Sequence, residues 1–233
     1  MKKTFLIVLF IIVSLVGFSQ NIDDKEKSEL YKNYREDQFY ISVTYNLLNK
    51  KPSDVSQSGF STGFHFGFIR DMPINERRTV ALGIGLGLST NSYNQNIGIT
   101  ETNNQILFNI IDESQINVSK NKFTTYLLEV PFEFRWRKSS PTNYNFLRIY
   151  PGFKFGYLFY NSTKLKSDQG NLKLSNIDSF NRLQYGLTLS AGYGTWNIHA
   201  YYGLNAIFDD SAKINGEVLD MTSFKIGLMF YIL

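Results

Sequence analysis

The sequence contains no cysteine among its 233 residues. This absence excludes disulfide bonds, cysteine-based metal sites, a thiolate nucleophile and a lipid-modified N-terminal cysteine. Charged residues are also scarce, at 19%, and the formal charge is only +4. A balance so close to neutral leaves no electrostatic footprint for nucleic acid, so we expect no nucleic-acid partner. After the N-terminal segment no run is apolar for about 18 residues, so we expect no membrane-spanning helix.

The first residues have the layout of an export signal. Two lysines precede an apolar run from Phe5 to Val16, and small residues follow at Gly17 and Ser19. This order of charged, apolar and small residues is typical of a signal peptide, which we place at residues 1–19 with cleavage near Ser19/Gln20. A membrane anchor is the alternative, but the apolar run is short for a span of about 20 residues.

The clearest pattern in the mature chain is an alternation of large and small residues between positions 79 and 92. Its large residues are Val80, Leu82, Ile84, Leu86 and Leu88, and its small residues are Ala81, Gly83, Gly85, Gly87 and Ser89. A period of two puts the two sets on opposite faces of a β-strand. Glycine weakens an ordinary strand, but small residues suit the crowded interior of a narrow barrel. The pattern therefore predicts a barrel with lipid outside and a partly polar lumen.

Similar alternation recurs along the chain and is interrupted by turn residues. It predicts eight strands, at about residues 38–48, 59–70, 79–92, 123–137, 147–160, 181–193, 196–208 and 222–233. An even number of strands that are mostly long enough to cross a bilayer is typical of outer-membrane barrels, and closure satisfies backbone groups that lipid cannot bind. We therefore predict an all-β fold, an eight-stranded antiparallel up-and-down transmembrane β-barrel over residues 38–233. A charged, solvated periplasmic lead-in at 20–37 precedes it.

The predicted connections differ in length on the two sides of the barrel. With a periplasmic N-terminus, the outer loops are the longer set on average, at 49–58, 93–122, 161–180 and 209–221, and the inner turns are 71–78, 138–146 and 194–195. Longer loops outside are typical of these barrels. The second outer loop contains Ile106, Phe108 and Ile110 at a period of two. This spacing predicts a hairpin that continues the third and fourth strands beyond the membrane.

Charges of both signs fall on the predicted lumen face, together with His65 and His199. The charged residues are Glu129, Glu133, Arg135, Arg148, Lys154, Arg182 and Lys225. Because an isolated charge in a low-dielectric interior is costly unless paired, we expect an ion-pair network that plugs the narrow barrel. An ion-conducting path or a small-solute pore is the alternative reading of the same residues.

No arrangement of residues points to catalysis. Both histidines lie in predicted strands, without a Gly-x-Ser-x-Gly pattern or paired-histidine metal spacing. Glu129 and Glu133 on one strand would lie about 13 Å apart at 3.3 Å per residue, too far for a glycosidase pair. We therefore expect no catalytic residue, no metal site and no cofactor.

Aromatic residues near the predicted strand ends indicate a membrane interface. Trp136 and Trp196 lie beside predicted inner turns, and a full interfacial girdle would consist of Trp136, Trp196, Tyr150, Tyr193 and Tyr202. The last segment, 224–233, alternates apolar residues and carries an aromatic residue near its end. It resembles the C-terminal strand that barrel-assembly machinery recognises.

Four segments together resemble a known family. The signal ends in Phe18-Ser19-Gln20, the first strand opens with Gln38-Phe39-Tyr40, the third strand is glycine-rich, and the fourth contains Tyr126-Leu127-Leu128-Glu129-Val130-Pro131-Phe132-Glu133-Phe134. With these segments the chain resembles the outer-membrane β-barrels of the Bacteroidota known as PorT-like porins. The resemblance implies an eight-stranded barrel without enzymatic activity. Some members of the family look like accessory parts of the type IX secretion and gliding apparatus.

The sequence as a whole predicts a small non-enzymatic barrel in the outer membrane of a Gram-negative bacterium. We expect it to act as a structural or accessory component of a cell-envelope assembly. Its expected partners are outer-membrane lipid, the barrel-assembly machinery during biogenesis, and a larger envelope protein complex. Two alternatives stay open: a narrow pore or small-solute binding barrel, and a secreted soluble barrel of lipocalin type whose apolar face points inward.

Overall fold

The computed structural model describes residues 36–103, 105–112, 114–138 and 146–232. No helix within these ranges is long and apolar enough to cross a bilayer. The expected signal peptide, most of the lead-in and the middle of one inner turn lie outside them. The described residues form thirteen strands: β1 (Gln38–Asn49), β2 (Thr62–Pro73), β3 (Val80–Asn94), β4 (Ile97–Thr102), β5 (Gln105–Ile110), β6 (Val118–Arg137), β7 (Leu147–Ser167), β8 (Gly170–Ser175), β9 (Leu183–Tyr193), β10 (Trp196–Gly203), β11 (Lys213–Ile214), β12 (Glu217–Val218) and β13 (Thr222–Ile232).

Eight of these strands pair side by side in a closed ring. In the order β1, β2, β3, β6, β7, β9, β10 and β13, each strand is antiparallel to the next, and β13 pairs with β1 to close the ring. The closing register joins Phe39 to Ile232 and Asn49 to Thr222. Each of the eight strands thus has a hydrogen-bonding neighbour on both sides, which removes open sheet edges. The predicted all-β, eight-stranded antiparallel up-and-down barrel is confirmed.

Side chains alternate between the two faces of the barrel wall. In β1, Phe39 and Ile41 are exposed on the outer surface, whereas Tyr40 and Ser42 are buried inside. The glycine-rich face of β3 points inward, where large side chains of other strands need space. At Gly87, for example, an added Cβ would overlap the Tyr40 hydroxyl oxygen. The small residues Gly67 of β2 and Gly87 of β3 therefore leave room for the Tyr40 ring to lie against the inner side of the wall.

Several strands continue further than the alternation predicts. β2 runs to Pro73 instead of ending at residue 70, so Asp71 lies inside the barrel and not in an inner turn. β6 begins at Val118 and β7 continues to Ser167, so both extend well past the apolar part of the wall. In these regions the strands pair without apolar alternation. Because apolar alternation is what identifies a strand in a sequence, the pattern did not predict these extensions.

The second outer connection forms a hairpin of its own. Ile106, Phe108 and Ile110 lie on β5, as their spacing predicts, and β5 pairs with β4. The expectation that this hairpin continues the flanking barrel strands is wrong, because β4 and β5 form a separate two-stranded sheet. The chain leaves the barrel wall just after β3, where the Gln95 N–H donates to the Asn121 carbonyl oxygen at 3.1 Å.

Apolar side chains from all four outer connections meet at the outer end of the barrel. The Phe123 ring lies 4.9 Å from the ring of Tyr93, 5.3 Å from Phe208 and 5.6 Å from Phe180. Because Phe208 leaves the wall to join this cluster, β10 ends at Gly203 and not near residue 208 as predicted. We call the cluster the outer cap, and its buried members are Leu48, Val55, Tyr93, Ile97, Ile99, Phe108, Phe123, Leu127, Leu158, Ile177, Phe180, Ile207, Phe208, Ala212, Ile214, Leu219 and Met221.

A substitution at Gly227 of β13 tests how closely β13 approaches β1, the strand with which it closes the ring. A Cβ at this position would overlap the Val43 carbonyl oxygen and lie 2.6 Å from the Thr44 Cα, and neither backbone atom can move aside easily. We expect Gly227→Ala to lower the free energy of unfolding by about 1–3 kcal/mol, the usual cost of overpacking. Urea titration of the barrel in lipid vesicles measures this loss.

Gly156→Ala in β7 is the matched control for this substitution. A Cβ at Gly156 meets no atom nearer than 3.5 Å, which is ordinary contact. The unfolding free energy should therefore change by no more than about 0.5 kcal/mol. Equal losses in the two variants would contradict the close approach of β1 and β13.

Candidate functional site in the barrel lumen

Three charged side chains of β6 point into the inner half of the lumen and meet an aspartate from β2. Glu133, Arg135 and Arg137 are spaced two residues apart, so strand geometry puts them on one face. Arg137 binds Asp71 through two hydrogen bonds of 2.7 Å, and Arg135 Nη1 donates to the same carboxylate at 3.0 Å. Arg135 Nε also donates to Glu133 at 2.9 Å. We call these four residues the inner layer.

A glycine allows the inner layer to form across an intervening strand. Gly83 of β3 lies between Asp71 and Glu133 in the strand register. A Cβ at Gly83 would be 2.8 Å from Arg135 Nε, so only a residue without a side chain leaves the guanidinium its path to Asp71. The side chains of Asp71 and Arg135 are both 0% exposed. Their charges are therefore neutralised by each other and by their neighbours, with no help from solvent.

Residues just before and at the start of β1 cover the inner layer. Arg135 Nη1 donates to the Glu36 carbonyl oxygen at 3.0 Å, and Gln38 Nε2 donates to the Glu36 carboxylate at 2.9 Å. Burial raises the pKa of Glu36, although Arg137 and Arg148 act in the opposite direction. The expectation of a solvated lead-in up to residue 37 is wrong at Glu36, which is fully buried.

Aromatic rings and a further arginine complete the inner half of the lumen. The Tyr231 hydroxyl donates to Glu133 at 3.0 Å, and the Arg135 guanidinium lies 5.8 Å from the centre of the Tyr231 ring. The Arg148 guanidinium stacks 4.5 Å above the Phe146 ring. Arg148 is buried, and its Nε and Nη1 have no hydrogen-bond partner within the described residues. The aromatic faces supply part of the stabilisation that water would otherwise provide.

A second group of charges lies further towards the outer end. Glu129 accepts a hydrogen bond from Lys154 Nζ at 3.0 Å, and His65 Nδ1 lies 3.1 Å from each of its carboxylate oxygens. Lys225 Nζ lies 4.7 Å from the centre of the Tyr201 ring. We call Glu129, Lys154, His65 and Lys225 the middle layer. Its members come from β6, β7, β2 and β13, so only the closed ring brings them together.

The second lumen histidine is hydrogen-bonded to a serine. His199 Nδ1 lies 2.8 Å from Ser190 Oγ, and the Tyr231 hydroxyl lies 3.2 Å from the same oxygen. The sequence does not reveal this pair, because it depends on the register between β9 and β10. A serine beside a histidine is one component of nucleophilic catalysis. Both side chains are buried, however, and within the described ranges no carboxylate hydrogen-bonds to His199.

The part of the chain that the structure describes contains no group of three histidine, aspartate or glutamate side chains that could hold a metal ion. The carboxylates of both layers are instead bound to arginine, lysine, histidine or tyrosine. The arrangement can neutralise buried charge and fix the strands relative to one another. It offers no open coordination position.

Two residues that the sequence predicts for these regions lie elsewhere. Arg182 precedes β9, and its side chain is 70% exposed and pairs with exposed Asp178 at 3.5 Å. Its predicted inward direction is wrong because strand alternation does not apply outside the strand. Tyr150, predicted for the aromatic girdle, is buried because it shares the inward face of β7 with Arg148. The other predicted network residues point into the lumen: Glu129, Glu133, Arg135, Arg148, Lys154 and Lys225.

The two tryptophans lie on the outer surface near the inner end of the barrel. Trp136 is the penultimate residue of β6 and is opposite Val80 of β3. Trp196 begins β10, and its ring lies 4.9 Å from that of Phe230. Tyr193 is opposite Trp196 in the register and is also exposed. Amphipathic rings at this level are typical of a membrane–water interface.

Arg135→Met tests whether the inner layer stabilises the barrel. The substitution removes the charge that Asp71 and Glu133 share, and leaves two carboxylates without it in a dry interior. We expect the free energy of unfolding to fall by about 3–5 kcal/mol, as when one partner of a buried ion pair is removed. Chemical denaturation in lipid vesicles, followed by the heat-dependent gel shift of folded barrels, measures this change.

Arg182→Met is the control, since it removes an arginine whose ion pair is exposed. Such a pair contributes about 0–1 kcal/mol, so the free energy of unfolding of Arg182→Met should stay within about 1 kcal/mol of the wild-type value. If Arg135→Met cost no more than this control, the inner layer could not be a stabilising element.

Solved structures of other proteins have low similarity to this chain. Ail, the attachment invasion locus protein of Yersinia pestis, in complex with the heparin analogue sucrose octasulfate, is 16% identical with a TM-score of 0.41, over 84% of this chain and 97% of that chain. A second structure of Ail is 15% identical with a TM-score of 0.40, over 84% and 96%. A triple mutant of a Rhodopseudomonas blastica porin is 9% identical with a TM-score of 0.19, over 85% and 99%. No curated protein matches the chain by sequence.

A family model gives the decisive match. The model described as "outer membrane protein beta-barrel domain" matches residues 18–209, which is most of the chain. The matched range contains β1 to β10 and therefore all of the inner layer. A closed ring of eight antiparallel strands with an apolar outer surface is the architecture of such proteins. The chain is thus an outer-membrane protein and belongs to the outer membrane protein beta-barrel domain family.

Proposed function

We propose that this barrel is a non-enzymatic, non-conducting component of a cell-envelope assembly, with a structural or accessory role. The observation that carries the proposal is that buried side chains occupy the lumen at three levels: the inner layer, the middle layer and the outer cap. An eight-stranded barrel is just wide enough for its own side chains to fill. When the lumen is occupied, the surfaces that are left for function are the two ends of the barrel.

The packing around the charged layers supports a closed lumen. A cluster of large buried side chains lies beside the layers, formed by Tyr40, Ile69, Tyr150, Met229 and Tyr231. Most of the charged groups are already bound to protein partners, so they do not need water. A conducting path needs a continuous line of water or ion-binding groups. Bulky rings and satisfied ion pairs provide neither.

The outer cap supports an accessory role because it holds two surface hairpins in place. The β4–β5 hairpin is anchored through Ile99 and Phe108, and the β11–β12 hairpin through Ile214. Each hairpin also carries an exposed apolar residue, Leu107 on the first and Val218 on the second. A surface that is ordered before binding avoids part of the entropic cost of association. Such hairpins suit the docking of another envelope protein.

The burial and contacts of the Ser190–His199 pair support the absence of enzymatic activity. Catalysis by a serine requires a substrate within reach of its oxygen and donors for the developing charge. Both side chains are buried among other lumen residues, and Ser190 Oγ is already in contact with Tyr231. We assign this pair a structural role in joining β9 to β10.

We extend the proposal to a narrower family, the PorT-like porins of the Bacteroidota, and with it to type IX secretion or gliding. The support is the resemblance of Gln38-Phe39-Tyr40 and of the segment from Tyr126 to Phe134. The second segment occupies the part of β6 that carries Glu129 and Glu133. The segment that carries the resemblance thus contributes a carboxylate to each charged layer.

A narrow pore or small-solute binding barrel is the second candidate function. One observation favours it: two of the five buried cations of the lumen lack a carboxylate partner among the described residues. Arg148 stacks on a phenylalanine ring, and Lys225 lies over a tyrosine ring. Unpaired buried cations are a known feature of sites that attract anions.

Planar-bilayer recording separates the two candidates. We expect the wild-type protein to give no single-channel steps under conditions in which a general porin conducts, because buried side chains occupy the lumen at three levels. Arg148→Ala and Glu133→Ala are the diagnostic variants. If the wild type conducted and either variant abolished its steps, the non-conducting function would be refuted and the pore favoured.

Photo-crosslinking in intact cells tests the accessory role. A photoreactive residue in place of Leu107, on an outer hairpin, should give a discrete adduct with another envelope protein. The same residue in place of Leu86, on the lipid-facing wall, should give none. A lack of adducts from both Leu107 and Val218 would count against an assembly partner at the outer end. Normal type IX secretion and gliding in a deletion strain would exclude only the narrower role.

A further inference from the structure

At the outer end of the barrel, β6, β7 and β8 pair side by side as a three-stranded part of the barrel sheet. Residues 118–124 of β6 pair with residues 162–167 of β7, and β8 pairs with the same part of β7. This part of the sheet continues the barrel wall at its outer end. We call it the flange.

Five lysines lie on one face of the flange. Lys120 is directly opposite Lys166, Lys122 is opposite Lys164, and Lys164 is opposite Lys173. Directly opposed residues of antiparallel strands share a face, with Cβ atoms about 5 Å apart, and like charges in this position repel. Among the described residues, none of the five forms an ion pair. The arrangement is therefore unfavourable unless an anion neutralises it.

The lysine face points away from the barrel axis. The opposite face carries Phe123, a member of the outer cap, and also Leu165 and Leu172, which line a groove beside the β4–β5 hairpin. Lys122 has the same parity as lipid-facing Tyr126, and no register shift falls between the two. The lysines therefore continue the lipid-facing surface of the wall and not the surface around the lumen.

The order of side chains along β6 gives the depth of the lysines in the membrane. From Trp136 to Tyr126 the outward residues are apolar or aromatic over about 33 Å of strand, at 3.3 Å per residue. A tilt of about 40° shortens this distance to about 25 Å, the height of the apolar band in such barrels. Tyr126 and Tyr160, with ring centres 5.3 Å apart, mark the end of the band. Lys122 lies about 13 Å further along the strand, or about 10 Å higher at the same tilt, and from there its long side chain reaches the lipid headgroups.

We infer that the lysine face of the flange binds the phosphate groups of anionic lipid in the outer leaflet. Each lysine ammonium has three donors and no acceptor, so a phosphate between opposed lysines satisfies several donors and replaces repulsion by attraction. Lipid fits this surface better than a soluble polyanion, because the lysines lie on the lipid-facing side at headgroup depth. The flange would therefore hold a shell of charged lipid beside β6 and β7.

Native mass spectrometry of the detergent-solubilised full-length protein tests this inference. The probes are bis-phosphorylated lipid A and the same lipid without its phosphates. We expect the wild type to bind the phosphorylated probe at least tenfold more tightly. The variant Lys122→Gln/Lys164→Gln/Lys173→Gln removes one row of the cluster, and it should weaken this binding by at least tenfold, since a basic residue near a membrane contributes about fivefold. Added salt should weaken the wild-type binding in the same direction.

The control variant Lys50→Gln/Lys51→Gln/Lys213→Gln removes the same charge from other outer loops. Its affinity for bis-phosphorylated lipid A should stay within twofold of the wild-type affinity. If the triple flange variant does not fold, Lys164→Gln alone removes the central charge and should weaken binding about fivefold. Equal affinity of the wild type for the two probes would overturn the inference, and so would equal losses in the flange and control variants. A flange that bound a soluble sulfated glycan, with lipid A binding independent of its lysines, would overturn it too.

Discussion

Charges inside a narrow barrel must neutralise one another, because water cannot reach them there in quantity. Arg135 meets this constraint by holding Glu133 on its own strand and reaching across β3 to Asp71. The reach is possible because Gly83 leaves the space free. These four residues therefore specify one register for three neighbouring strands. A slip by one residue would turn the arginine towards lipid, at a large energetic cost.

Strand parity explains which features could be predicted from the sequence. In a barrel, alternate positions face lipid or lumen, so the period of two was enough to identify the eight strands and to place Glu129 and Lys154 inside. The pattern shows the direction of a side chain but not the position at which a strand ends. For this reason it misplaced Arg182 and assigned Asp71 to a turn. The outer cap could not be predicted, because its residues come from strand ends and from all four outer connections and meet only after the ring has closed.

The two proposals assign different surfaces of one barrel to different partners. The outer cap orders hairpins that project from the membrane, where a protein of the envelope can reach them. The flange continues β6 and β7 beyond the apolar part of the wall, where we infer that its lysines contact lipid headgroups. Both proposals build on the buried side chains of the lumen, because a closely packed interior resists deformation of the wall that carries the extended strands. In both proposals the interior stabilises the barrel, and recognition takes place at its outer end.

The pairing of β1 with β13 also determines how such a chain must be made. Its contacts join two strands that are far apart in the sequence, which gives the fold a high contact order and a slow closing step. Until β13 is available, β1 remains an unpaired edge that can associate with other chains. The same adjacency of first and last strands means that a circularly permuted gene, opened at another inner turn, would encode an equivalent ring.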